Sequence, residues 1–561
     1  MKKRFKKIIT FLLSLTACVS AVSFAGCGGN NTESGNALRI FVNNGNAFDG
    51  VEKDRIWQEI EKKTGAEMSF EGLSHSSAYY TKLNPLMNTI NNMPDIVFVV
   101  PSSEEMGLSS FSDKWTDPNK GLVYNYDELL ERYPKGTYPY IEKLLSSEQY
   151  KYIMHNNGHY ILPNTTSNSS WGIYFRTDWL INIGYYTMVG EEKIARYPVT
   201  IDEYTDVIRK FTFNDPDGNG LNDTYGFCPG KGEHYWNPFY SAFGVTPDWD
   251  INADGDLEYM YSSAEFKEFL KWANGLYKEG CIYPTFTSNQ ANAERDLFYQ
   301  GKTGMLITNA ESHVYFIMKK MTAMGKGDKV GFAYPPVGTA KTGKEGACGF
   351  SDWGAWWGGF CITKKCRNIP AALKLLDYML SPEGSDLRTY GIKDVHYTVE
   401  NGEIIPNVEE RLKEGGGKWE EFNVNGAASP VGRYSLGTIF GYPIDWDNYE
   451  KDGSIKFKIT AKLIDPENEK MVADAMDKVV LNTSKLVNFT AFGSTVVSVM
   501  NNTQEKTKAF VNNAIIGKSN LEKDWDDLIK TVKGENNNPQ NLLWKKMQTS
   551  AKETLTKMGK I

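Results

Sequence analysis

Histidine is scarce in this 561-residue chain, with six in all. Two of them, His155 and His159, are four residues apart, but Asn156-Asn157-Gly158 between them reads as a turn and argues against a two-histidine metal helix. Cysteine is equally thin. The seven thiols, Cys18, Cys27, Cys228, Cys281, Cys348, Cys361 and Cys366, include no C-x-x-C pair, so neither a zinc knuckle nor a dithiol redox motif is supported. A basic surplus is also missing. Lys plus Arg number 62 against 69 Asp plus Glu, a formal net charge of −7, whereas nucleic-acid recognition needs a basic face. Beyond the N-terminal segment no stretch is apolar and long enough to span a bilayer. Enzyme motifs fail on single residues. Gly301-Lys302-Thr303 has the end of a P-loop, but Asp296 stands where the first glycine is required. Gly349-Phe350-Ser351-Asp352-Trp353 ends in Trp where a nucleophile elbow needs Gly. Carboxylates are too numerous for a glycosidase acid pair to be chosen by spacing.

What is present fits a soluble globular chain of two or more domains: 41% hydrophobic, 23% charged and 13% aromatic residues. Residues 1–26 read as a secretory signal. Lys2, Lys3, Arg4, Lys6 and Lys7 precede an apolar run from Ile8 to Phe24. The run closes on Phe24-Ala25-Gly26-Cys27, which resembles the lipobox of bacterial lipoproteins and implies cleavage before Cys27 and lipidation of its thiol. A plain signal cut elsewhere is the alternative. Residues 27–36 then form a lipid-anchored flexible tether. Loss of residues 1–26 removes five positive charges and takes the net charge from −7 to −12. Five cysteines remain after Cys18 and Cys27. Buried thiols are the simpler reading, and a Cys348–Cys361 disulfide stays open.

Periodicity places a buried strand over 37–42, a helix over 54–63, a short strand over 68–70, a helix over 77–91 and a β run over 93–103. Strand and helix in alternation predict a parallel sheet, whose ligands bind beyond the carboxyl ends of the strands. Asn43, Asn44, Ser102 and Ser103 lie at such ends. Further helices are expected over 201–213 behind a Thr200 cap, over 263–278 behind a Ser262 or Ser263 cap, and over 371–380, 467–480, 495–511 and 523–532.

Within Phe213–Phe227, Asp215, Asp217, Asn219 and Asp223 take positions 1, 3, 5 and 9 of a calcium loop, Gly220 the sharp turn, and the Leu221 carbonyl the seventh-position oxygen. Position 12, where a bidentate Glu is needed, is Gly226. A structural calcium and an ordinary acidic turn both remain open. Sugar stacking needs flat rings beside amides and carboxylates. The densest such stretch, GFSDWGAWWGGF, carries Asp352, Trp353, Trp356 and Trp357. GEHYWNPFYSAFG offers Trp236, Tyr235 and Asn237, and Tyr397, Arg433, Tyr442 and Trp446 lie in other aromatic-rich turns. Core packing is the competing reading for each ring.

Short signatures then line up in order: Glu61–Gly65, Met93–Val97, Tyr160–Pro163, Tyr174–Leu180, Thr200–Tyr204, Phe298–Met305, Leu376–Gly384, Gly391–Tyr397, and Phe510-Val-Asn-Asn with Trp525-Asp526. Together they resemble family 1 of the extracellular solute-binding proteins, lipoproteins that feed ABC importers, in the long branch with the alginate-oligosaccharide-binding proteins. The resemblance implies an α/β, two-lobe periplasmic-binding-protein type II (Venus-flytrap) fold with a helical C-terminal extension. Lobe 1 would hold 37–166 plus 358–400, and lobe 2 would hold 167–357 plus 401–561, with the calcium loop 215–226. The chain would cross between lobes near 165–171, near 354–361 and near 400, which places Trp171 at the first hinge. The resemblance further implies a structural calcium at the loop, an oligosaccharide ligand, ABC permease subunits as partners, and a monomer held to the outer face of the cell membrane by lipid alone. No catalysis and no nucleic acid belong to this reading. A receptor for an anion or peptide, for which Arg176 and Arg433 are the candidate arginines, is the first alternative. A surface carbohydrate-active enzyme is the second.

Overall fold

Leu38, Ile40, Val42 and Phe41 are all buried, so β1 (Leu38–Asn43) packs on both faces, as a strand inside a parallel sheet must. The structure is a computed structural model that describes residues 37–43, 55–73, 77–101, 111–147, 150–151, 153–164, 171–230, 233–245, 249–252, 254–289, 292–338, 358–407, 409–410, 444–447, 449, 494–557, 559 and 561. β1 pairs in parallel with β2 (Met68–Leu73) and with β3 (Ile96–Val99), and the helices Arg55–Thr64 and Ser77–Met87 make the crossovers. The alternation expected from the sequence is present. Two antiparallel strands complete this sheet. β9 (Gly359–Ile362) pairs with β3, and β4 (Leu162–Pro163) pairs with β9. Side-chain period two divides the sheet between two cores. Ile96, Phe98, Phe360 and Ile362 face one; Val97, Val99 and Cys361 face the other.

A second sheet has the order β8-β5-β7-β6, from β5 (Trp171–Arg176), β6 (Tyr225–Phe227), β7 (Thr303–Asn309) and β8 (Val330–Ala333). β5 is antiparallel to β7 and β8, and β6 is parallel to β7. Ile173, Phe175, Met305 and Ile307 point into one large core with the helices Ile201–Phe213 and Ala264–Lys278. Caps predicted from sequence hold both helices. Thr200 and Glu203 form a reciprocal capping box, and the Ser263 hydroxyl accepts from Phe266 N. The C-terminal helices Ser494–Ile515, Leu521–Lys533 and Pro539–Lys557 bury Met500, Val511, Trp525, Leu528, Trp544 and Leu555 in this same core. The last of them goes beyond the helices that periodicity predicts. Its apolar residues, Trp544, Met547, Ala551 and Leu555, are sparse among polar ones.

Segments leaving and re-entering the first sheet are bound together. Asn164 N donates to Gly358 O at 2.9 Å, and Gly358 N donates to the Asn164 side-chain oxygen at 3.1 Å. One part of the expected division needs correcting. The resemblance places all of residues 401–561 in lobe 2, yet Ile444 and Trp446 pack in the core of the first sheet, where the Trp446 indole donates to Leu380 O at 2.8 Å. Glu410 also pairs with Arg55 at 3.2 Å. The expected helix over 467–480 lies outside the described residues.

Candidate functional site

The loop after helix Ile201–Phe213 is a turn held by its own acidic side chains. Asp215 sits at φ = +45°, a left-handed conformation that Asp tolerates better than most residues. Its two carboxylate oxygens accept from Asn219 N at 3.0 Å and from Gly220 N at 2.9 Å. Gly220, at φ = +78°, supplies the sharp turn. Asn219 Nδ2 donates to Asp217 at 2.9 Å and to Asp223 at 3.2 Å, while its Oδ1 accepts from Leu221 N at 2.7 Å. Three carboxylates are thus drawn around Asn219, two by its side-chain amide and one by its backbone N–H.

Two features set this loop apart from a calcium switch. Lys302 Nζ lies 2.6 Å from Asp223 Oδ2, so an ammonium already neutralises that carboxylate. The pairing holds the Asp223 carboxyl below its usual range and raises the Lys302 ammonium. Asp217 moves the other way. Partial burial, the hydrogen bond with Asp215 and the charges of Asp223 and Asp215 raise it. Gly226 is the second feature. It lies in β6, where its N donates to Thr212 Oγ1 at 3.0 Å, and an added Cβ would come within 2.6 Å of Ile208. Position 12 therefore turns inward against the preceding helix and has no room for Glu. The donor types suit a hard cation. Among the described residues, however, no group of three or more His, Cys, Asp or Glu side chains is disposed to hold one. Lys302 already occupies Oδ2 of Asp223 and would compete with an ion for that carboxylate.

The aromatic candidates divide. Trp236 is 2% exposed and lies among Phe227 at 5.3 Å, Phe269 at 5.5 Å and Phe286 at 6.3 Å between ring centroids. It packs the core of the second sheet and offers no face for stacking, and Asn237 beside it is buried too. Trp446 is likewise a core residue, against Tyr140 and Tyr449. Tyr397 packs on Tyr390 in the hairpin formed by Tyr397–Glu400 and Glu403–Pro406. For these rings the packing reading describes the structure, because each is buried against neighbouring rings. Trp171 opens β5 opposite Asn309, and its side chain lies outside the described residues. So do Cys27, Asp352, Trp353, Trp356, Trp357, Arg433 and Tyr442. Arg176, the candidate for an anion receptor, is engaged already. Its guanidinium makes a two-pronged pair with Asp178, at 2.9 and 2.6 Å, over the Trp179 ring.

A polar cluster lies where β6 ends, and of its members the sequence reading offered Tyr235 alone. Glu294 is 1% exposed; its Oε1 accepts from the Tyr235 hydroxyl at 3.1 Å and lies 3.6 Å from Arg295 Nε. Burial, followed by the Glu294 charge, raises the Tyr235 phenol. Glu294 and Tyr235 are 59 residues apart, so no local pattern could have joined them.

The sequence profile of the bacterial extracellular solute-binding proteins matches residues 49–386. Among curated relatives, the polygalacturonan/rhamnogalacturonan-binding protein YtcQ of Bacillus subtilis (strain 168) is 24% identical over 368 residues, 64% of this chain and 67% of YtcQ. Lipoprotein LipO of the same organism is 24% identical over 426 residues, 70% of this chain and 75% of LipO. Of solved structures, the substrate-binding protein FusA of S. pneumoniae in complex with kestose superposes with a TM-score of 0.63 at 17% identity, covering 94% of this chain and 100% of FusA. The alginate-binding protein AlgQ2, solved without calcium ion, gives 0.60 at 17% identity, covering 92% and 97%. The two-lobe fold is common to them, and with the profile spanning more than half of its length, this chain belongs to the bacterial extracellular solute-binding proteins.

Proposed function

We propose that this protein captures an oligosaccharide between its two lobes and presents it to the permease of an ABC importer. The observation that carries the reading is the pair of separately cored sheets, joined by segments that meet at Asn164 and Gly358, in a chain of this family. Such an architecture closes on a ligand that touches both halves and needs no covalent step, since contacts present only in the closed state shift the equilibrium toward it. The polygalacturonan and rhamnogalacturonan bound by YtcQ, and the kestose bound by FusA, favour a carbohydrate over other solutes. The engagement of Arg176 by Asp178 weakens the case for an anion receptor. Trp171 and the Asp352–Trp357 stretch supply the stacking faces in this reading, with Arg433 and Tyr442 from the later turn.

A lipid on Cys27 holds the protein at the membrane, a reading supported by the lipobox residues and by the similarity to LipO. Among the described residues no helix is long and apolar enough to cross a membrane. Calcium binds the loop as a structural ion, through the carboxylates of Asp215, Asp217 and Asp223, the Asn219 amide oxygen and the Leu221 carbonyl. AlgQ2 has been solved in a form without calcium ion and FusA as an EF-hand mutant, and both support an ion in such a protein. Thermal-shift screening of the mature protein against plant and microbial oligosaccharides tests the main reading. Stabilisation by one sugar class is expected; stabilisation by peptides or inorganic anions alone would replace it.

A further inference from the structure

A carboxylate held away from water is costly unless both of its oxygens are paired. Glu294 meets that condition at one oxygen only. Oε1 has the Tyr235 hydroxyl and Arg295, while Oε2, fully buried, accepts from no described residue. The hydroxyl of Tyr174, on the same lobe and electrostatically coupled to Arg295, is also buried without a partner among the described residues. Orientation of the pair is fixed. The Tyr235 ring lies on Gly230, where an added Cβ would fall 2.1 Å from the ring.

Topology puts this cluster by the end of the second sheet at which the chain enters from the first. β6 pairs with β7 only as far as Met305, and β7 runs on to Asn309, opposite Trp171 at the start of β5. The chain leaves the first sheet at Pro163 and reaches Trp171 in eight residues, a span of at most about 28 Å. The Trp171 end of the second sheet is therefore the end at which the chain arrives from the first sheet. β6 stops short of that end, and the turn that carries Tyr235 and the helix that carries Glu294 both pack against β7. In α/β sheets this is where ligands bind.

The chemistry narrows what could fit. Glu294 repels an anion, Arg295 repels a cation, and the unpaired carboxylate oxygen asks for a hydrogen-bond donor. We infer that Glu294, oriented by Tyr235, is a subsite of the second lobe that accepts a hydroxyl from an uncharged edge of the ligand. The inference rests on the carbohydrate reading above and adds residues to it.

Calorimetric titration of the mature protein tests it, with kestose, maltotriose and xylotriose as neutral probes, trigalacturonate as an anionic one, and a wider plant and microbial panel behind them. Glu294→Gln is expected to weaken the best-binding sugar at least tenfold, and Tyr235→Phe several-fold. The apo melting temperature of Glu294→Gln should stay level or rise, since a buried charge has been removed. If the wild type binds a sugar and both variants bind it as tightly, the subsite is overturned while the carbohydrate reading stands. If the wild type binds none of the panel, that reading falls and the subsite with it. Should Glu294→Gln misfold, Tyr235→Phe, which keeps the ring on Gly230, decides alone.

Discussion

Replacing Trp236 by Ala separates packing from ligand contact at a residue whose sequence setting suggested the cleft. The indole is 2% exposed and touches Phe227, Phe239, Phe269 and Trp272. Truncating a ring so enclosed removes its burial and leaves a cavity, at a cost of about 3–5 kcal/mol. For a lobe-sized unit about 1 kcal/mol shifts the midpoint by roughly 2–4 °C, so the second lobe should melt on the order of 10 °C lower. Trp236→Phe, which keeps a ring against Phe269, should lose less than half of that. Differential scanning calorimetry reads the transition, and titration below it reads affinity. Sugar affinity per folded molecule should stay within about twofold, well under the 1.4 kcal/mol that a tenfold change would need. An unchanged midpoint with a tenfold loss of affinity would refute the reasoning and put the ring back in the cleft.

Other perturbations give equally definite outcomes. Trp356→Ala or Trp357→Ala should weaken sugar binding more than tenfold, about 1.4 kcal/mol, in the same titration. Calcium should raise the melting temperature of wild type and EDTA should reverse it, and Asp215→Ala with Asp217→Ala should abolish the response. Lys302→Met should lower the calcium concentration at half-effect, because the ammonium on Asp223 competes with the ion; a higher concentration would contradict that. Asp377 accepts from Tyr140 N and Ile141 N at 2.8 and 2.9 Å, yet burial outweighs those donors and pushes its carboxyl from 3.8 up to about 6. The folded state thus holds the proton more tightly. The stability this contributes is complete below about pH 4 and is lost as pH rises through about 6, roughly 3 kcal/mol in all. Asp377→Asn should flatten that slope and melt higher than wild type at pH 7.

Much of the first sheet was legible because its strands are short buried runs separated by helices with clear periodicity, as from Leu38 to Val99. The caps at Thr200 and Ser263 were legible for the same reason: capping is decided within four residues. The turn at Gly220 and the clustering of the loop's carboxylates about Asn219 were readable, but Lys302 was not, since it reaches Asp223 from 79 residues away. Aromatic rings misled at Trp236, Tyr397 and Trp446. A Trp among Gly, Asn and Tyr looks alike in sequence whether it faces a sugar or a phenylalanine, and only the fold distinguishes them. Glu294 carried no signal at all, because its partner Tyr235 comes from a different turn.

The central claim is that two lobes close on a carbohydrate. Titration of the mature, unliganded protein with the oligosaccharide panel, followed by small-angle X-ray scattering with and without the best ligand, tests it most directly. Saturable binding of a single sugar molecule with a smaller radius of gyration is predicted. No binding across the panel, or release of shortened sugars instead of a stable complex, would contradict it.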